Sequence, residues 1–323
     1  MPLVPSNYRP PFPFRNGHFS TIYSGVFRKI RGLVQHRERI NLYDGDFLDL
    51  DWSESSLPSN KVVILVHGLE GDAQRHYITG SAKKLTQNRF DTCAINLRGC
   101  SGEPNKLYRS YHSGATEDLI SVIDHILSTK KYQEIYLLGF SLGGNLILKY
   151  LGEGNEIPHQ VKAAVGVSVP CSLKSACDEL LNSKNVLYSA RFKKHLLAKL
   201  RQKQQRFPNN ILSTEIASIG TLKDFDDIYT SRAHGFKDAL DYYEKCSCDQ
   251  FLGKVGLPSL ILNAKNDSFL GDDCYPYEQA ETNSNVYLEV PDFGGHVGFW
   301  GKQNTSYAEE RALQFFNDPL IGK

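Results

Sequence analysis

Gly139-Phe140-Ser141-Leu142-Gly143 sets a serine midway between two glycines. A serine hydroxyl is a poor nucleophile at neutral pH and attacks a carbonyl only when a base takes its proton. The base in turn needs an acid to orient it. The Gly-x-Ser-x-Gly spacing suits a sharp, strained strand-to-helix turn that thrusts the hydroxyl outward, and a Cβ at either glycine would collide across so tight a bend. Alone the pattern is weak, since about one unrelated chain in ten of this length contains it by chance. Its position between two clear elements gives it weight.

One known order for such a triad is Ser, then Asp or Glu, then His, each at the carboxyl end of a strand. Asp267 closes Asn263-Ala-Lys-Asn-Asp267, directly after the apolar run Pro258-Ser-Leu-Ile-Leu-Asn-Ala264. His296 closes Pro291-Asp-Phe-Gly-Gly-His296, after Val286-Tyr-Leu-Glu-Val290. Asp272, Asp273 and Asp292 compete for the acid role; Asp267 is preferred because it follows its strand most directly. His296 could be a hydrogen-bonded loop histidine, but His67, His112 and His234 all lie outside the expected order, and no other histidine follows a late strand. Two donors must meet the oxyanion. The residue after the nucleophile supplies one, the amide of Leu142 at a helix N-terminus. The turn His67-Gly68-Leu69-Glu70-Gly71 offers the other, with Leu69 N–H as the candidate donor. The bland alternative is a glycine-rich strand–helix turn.

These residues need a sheet to hold them. Lys61-Val-Val-Ile-Leu-Val66, Asp91 to Leu97, Glu134 to Leu138 and Val161 to Val169 read as buried strands alternating with helical segments. Glu38 to Trp52 alternates on both sides of Asp44-Gly45, a hairpin signal. The pattern predicts an α/β fold with a mostly parallel eight-stranded sheet covered by helices on both faces. Residues 1–35, rich in proline and aromatics, are expected to form an extended arm. Residues 36–170 and 256–323 should form the core. Between them, residues 171–255 carry no strand pattern, only helical stretches such as Ser175–Leu187 and Arg191–Gln205. An insertion of roughly 85 residues is too long for a loop and reads as a helical cap over the carboxyl ends of the strands.

Composition narrows the function classes. The 323 residues carry 37 basic and 36 acidic side chains, net +1, which gives no general electrostatic reason to bind nucleic acid. No basic start followed by an apolar stretch marks a secretory signal, and no apolar run approaches the roughly 20 residues of a membrane span. Seven cysteines at irregular spacing favour reduced thiols and a cytoplasmic setting, and Cys246-Ser-Cys248 is too tight for the usual zinc knuckle. From Arg191 to Arg206 there are seven Lys or Arg and no acid. One reading is an interfacial helix giving the cap transient contact with a membrane surface. The preferred one is a solvated helix docked by Phe192, Leu196, Leu200 and Phe207.

Longer blocks extend the pattern. They include Arg15-Asn-Gly-His-Phe-Ser-Thr-Ile22, Leu97-Arg-Gly-Cys-Ser-Gly-Glu-Pro-Asn105 and Ser110-Tyr-His-Ser-Gly114. Asp224-Phe-Asp-Asp227 with Thr230, His234-Gly-Phe236 and Asp241-Tyr-Tyr243 add to them. Through these blocks nearly the whole chain resembles the α/β-hydrolase superfamily, in the branch of bacterial YheT-like proteins and eukaryotic lipid-acting α/β-hydrolase-domain proteins. Phe19-Ser20 departs from the Leu-Gln of that pattern. The resemblance implies Ser141 as nucleophile, Asp267 as acid and His296 as base of a carboxylic ester hydrolase. It implies activity on glycerolipids in the eukaryotic relatives, and a small-molecule ester as partner. The mechanism requires no cofactor and no metal. Acyl transfer to an alcohol or thiol, thioester hydrolysis and a non-catalytic binding role are the alternatives on the same fold.

Overall fold

Lys61-Val-Val-Ile-Leu-Val66 and Glu134-Ile-Tyr-Leu-Leu-Gly-Phe140 are apolar on both faces because the sheet they enter is covered on both faces. In the computed structural model, which describes residues 3–318, that sheet has nine strands. They are β1 Leu3–Val4, β2 His36–Asn41, β3 Phe47–Ser53, β4 Lys61–Val66, β5 Asp91–Asn96, β6 Glu134–Phe140, β7 Val161–Val167, β8 Ser259–Leu262 and β9 Val286–Glu289. Their spatial order is β1-β9-β8-β7-β6-β4-β5-β3-β2. Strands β4 to β9 run parallel, and the hairpin β2–β3 joins the edge antiparallel to β5. The eight expected strands are β2 to β9. The ninth, β1, is a two-residue contribution from the arm, with Leu3 opposite Leu288 on β9.

Alternate residues of the parallel strands feed different clusters. Val62, Ile64 and Leu137 pack on one side with the helix Leu142–Gly152, whereas Val63, Leu65 and Leu138 pack on the other with Phe315 and Phe316. The helix Leu142–Gly152 is buried along its whole length. Strand order reverses around β4, which passes to β5 on one side and to β6 on the other. The carboxyl ends of β4 and β6 therefore flank the crevice where open α/β sheets bind their ligands.

Between β7 and β8 every described element is helical, and the longest helix is Val186–Arg206. The segment builds its own apolar cluster from Leu196, Leu200, Ile211, Ile216, Leu222 and Phe225. The helix expected over Ser175–Leu187 ends earlier, at Leu181, where Asn182 turns extended and its side chain accepts from Lys184 N–H. Asn185 then ties this break to the rest of the fold, donating to the Ser268 and Glu179 carbonyls at 2.6 and 2.9 Å.

The arm departs from expectation in the same informative way. Residues Gly17–Val26 form a helix rather than an extended strap, with Asn16 as N-cap accepting from Phe19 N–H at 2.9 Å. All seven cysteines are buried and free. Among the described residues no helix is long and apolar enough to cross a membrane.

Candidate active site

Strand β6 ends at Phe140 and the next helix begins at Leu142, so the whole reversal falls on Ser141. Its backbone sits at φ 52°, ψ −120°, a conformation costing about 1–3 kcal/mol for a residue with a side chain. The flanking glycines leave no room for more. A Cβ on Gly139 would lie 2.3 Å from the Gly143 carbonyl oxygen, and one on Gly143 would lie 2.4 Å from that of Val66. The register of β4 against β6, Val66 beside Gly139, brings the turn after β4 level with the serine. Gly68 lies close enough that an added Cβ would stand 3.1 Å from Ser141 Cβ.

In that turn most amides are already used. Gly68 N–H donates to Tyr77 Oη, Glu70 N–H to Tyr111 Oη at 2.8 Å, and Gly71 N–H to the Gly68 carbonyl. Leu69 N–H has no partner among the described residues. The Leu142 N–H, first in its helix, is one that the helical ladder itself leaves open. His67 braces the turn from behind. Its Nδ1 donates to the Gly68 carbonyl at 2.8 Å and its Nε2 accepts from Leu97 N–H at 3.1 Å. Complete burial pulls its pKa down to about 4, so it holds this neutral tautomer.

Asp267 follows β8 and His296 follows β9, and the structure joins them. His296 Nδ1 donates to Asp267 Oδ2 at 2.8 Å, with Oδ1 at 3.1 Å. Asp267 is buried and also accepts from Phe269 N–H at 3.0 Å. Nδ1–H given to the carboxylate leaves Nε2 of His296 with a free lone pair. Phe269 stacks on the imidazole with ring centroids 4.1 Å apart. The rival acids are elsewhere: Asp292 pairs with Lys265 on the surface, and Asp272 and Asp273 open a short helix without bonding to His296 among the described residues. Ser141 and His296 line one cavity, but no hydrogen bond joins Ser141 Oγ to His296 among the described residues.

Sequence reasoning missed how the histidine loop is held. His296 N–H donates to Thr21 Oγ1 at 2.8 Å, Val297 N–H to Ser168 Oγ at 2.9 Å, and Gly295 N–H to Asn266 Oδ1 at 3.0 Å. Val297 adopts φ 56°, an outlier for a β-branched residue, so this loop depends on its partners. Thr21 lies on the arm helix, whose Asn16 cap and Phe19/Tyr23 and Ile22/Val26 spacing were the available signal. Thr21→Val keeps the shape and removes the acceptor. We expect it to lower kcat about tenfold with KM little changed, and to cost about 1–3 kcal/mol in thermal unfolding. An unchanged kcat would show that the loop holds itself.

The shared cavity has a volume of about 560 Å³, within the usual range for small-molecule sites. Its core wall supplies Leu69, Ser141, Leu142 and His296, and the helical segment between β7 and β8 lines it with Leu196, Leu200, Leu222 and Phe225. Lys199 on the long helix donates to Glu70 Oε1 at 2.9 Å and so ties the insertion to the turn that carries Leu69. Lys203 and Arg206 of the same helix also turn inward, to Asn105 Oδ1 and the Asn105 carbonyl. Much of that basic helix is therefore spent on internal contacts. A further polar wall contains Asp226, which accepts from Thr230 and Tyr243 hydroxyls at 2.7 Å; burial pushes its pKa up to about 6. Among the described residues no cluster of His, Cys, Asp and Glu could hold a metal ion.

A family model described as the alpha/beta hydrolase fold matches residues 61–303, and the chain belongs to that family. Within it the chain falls in the YheT-like branch, as a serine hydrolase of the carboxylesterase or lipase type. It is 33% identical to YheT of Escherichia coli over 89% of this chain and 85% of that one. It is 31% identical to phospholipase ABHD3 of Bos taurus, covering 88% of this chain and 72% of the relative. Among solved structures, the Pyrococcus furiosus esterase Pf2001 has a TM-score of 0.61 at 16% identity, covering 98% of this chain and 96% of that one, a likeness of fold.

Proposed function

We propose that the protein hydrolyses carboxylic esters through an acyl-enzyme on Ser141, with His296 as general base and Asp267 as its orienting acid. The observation that carries this reading is the Asp267–His296 pair at 2.8 Å, opening on the same cavity as a serine held at φ 52°. In this reading His296 Nε2 takes the Ser141 hydroxyl proton as Oγ attacks the ester carbonyl. The Leu69 and Leu142 amides receive the oxyanion. His296 then protonates the leaving alcohol, activates a water, and the acyl group departs as a carboxylic acid.

The apolar wall of Leu196, Leu200, Leu222 and Phe225 supports an acyl chain as the part of the substrate buried under the insertion. Residues 171–255 act as a cap in this reading, and the resemblance to phospholipase ABHD3 supports a lipid ester among the substrates. Seven buried free cysteines support a cytoplasmic setting. A fluorophosphonate, which phosphonylates activated serines, tests the proposal: it should label Ser141 alone, and a protein that stays unlabelled is not working this way.

A further inference from the structure

The helix Gly17–Val26 is inside out for a surface helix. Its small polar residues Ser20, Thr21 and Ser24 face the protein, where Thr21 holds His296 N–H and Ser24 Oγ donates to the Gly298 carbonyl at 2.8 Å. Its large apolar residues face solvent, with Phe19 44%, Ile22 45%, Val26 55% and Phe27 66% exposed. The rings are contiguous. Phe14 lies 5.3 Å from Phe19 and 4.9 Å from Tyr23, and Tyr23 lies 5.8 Å from Phe27, centroid to centroid. A continuous aromatic and aliphatic face of this kind marks an interaction surface.

Charge says what covers it. Residues 1–37 contain no Asp or Glu, whereas Arg or Lys stands at positions 9, 15, 28, 29, 31 and 37. Arg28 and Arg37 are taken by Glu309 and Asp51. Lys29 and Arg31 are exposed and form no ion pair among the described residues; Arg15, also exposed, donates to the Pro10 carbonyl at 3.3 Å and lies over the Phe293 ring. We propose that this face docks on an anionic phospholipid surface, the rings entering the headgroup region and the free cations meeting lipid phosphates. A symmetric dimer through the same face would set these cations against their own copies, which disfavours a second copy of the chain as occupant. The docking helix differs from the basic helix Val186–Arg206, whose Lys199, Lys203 and Arg206 are engaged internally.

Flotation of the full chain with vesicles of equal parts phosphatidylcholine and phosphatidylglycerol at low salt tests the inference, and needs no turnover. The wild type should float with these vesicles and not with pure phosphatidylcholine. F19S/F27S and K29E/R31E should each weaken partitioning by at least about tenfold, with thermal unfolding matching the wild type. Equal flotation of variants and wild type, or no wild-type binding to anionic vesicles, would overturn it. So would a wild-type dimer in sedimentation velocity that F19S/F27S dissolves without any vesicle binding.

Discussion

Ser141→Ala is expected to lower kcat/KM on a short p-nitrophenyl ester by about 10⁴- to 10⁶-fold, the loss seen when an activated serine is removed from a triad. The size follows from what the substitution deletes. On the proposed mechanism, without Oγ the Asp267–His296 pair has no hydroxyl to deprotonate, and only the cavity and the Leu69 and Leu142 amides remain to help water attack. The structure should be undisturbed or slightly relieved, since Ala at φ 52° is no worse than Ser and the side chain is smaller. Unfolding measurements should therefore show the variant as stable as the wild type while turnover is lost. Retention of more than about a tenth of the activity would mean that the reaction runs elsewhere.

Acid should destabilise the protein strongly between neutral pH and about pH 5, mainly through buried histidines. Burial pulls His67 and His234 down to about 4 and His76 to about 3, and it holds His112 well below its ordinary value. Folded pKa values below the unfolded value mean that the unfolded chain binds more protons once pH falls under about 6.5, so stability is lost on going down in pH. Each such histidine costs about 2 kcal/mol by pH 5. Asp226 has the opposite sign. Its pKa of about 6 makes the folded state bind the extra proton, so it stabilises as pH falls through 6 and offsets about one histidine. Buried Asp118 and Glu309, also raised by burial, act in the same sense as Asp226. The net expectation is a Tm lower by about 10 °C at pH 5 than at pH 7. His234 has no polar partner on either ring nitrogen among the described residues and lies against His112, ring centroids 4.4 Å apart and tilted by 44°. His234→Phe should flatten the pH dependence without losing a hydrogen bond. A Tm that does not move between pH 7 and 5 would contradict the burial of these rings as neutral groups.

Much of the fold was legible because the long parallel strands are apolar on both faces and leave little alternative. Strand β6, the helix after it and the turn between are written in consecutive residues, and Asp267 and His296 lie where the short strands β8 and β9 end. Two kinds of feature escaped. β1 has only two residues, too few to show any alternation. The arm helix has helical spacing but inverted polarity, with Phe19, Ile22 and Val26 outward, so a reading that sends apolar residues inward cannot place it. Its contact from Thr21 to His296 spans 275 positions and leaves no local trace. The same holds for Arg98, fully buried and bonded to Asp118, Asp44 and Asp46. That network anchors the loop after β5 and gives the Leu97–Asn105 block a structural reason that spacing alone could not show.

Mass analysis after reaction with a fluorophosphonate tests the central claim most directly, because it asks which atom becomes covalently bound. An acyl-enzyme on Ser141 predicts one adduct per chain, carried by the peptide containing Gly139-Phe140-Ser141-Leu142-Gly143. It also predicts loss of ester hydrolysis in step with labelling, and labelling slowed by orders of magnitude in His296→Ala. An adduct on another residue, or full inactivation with Ser141 unmodified, would contradict it.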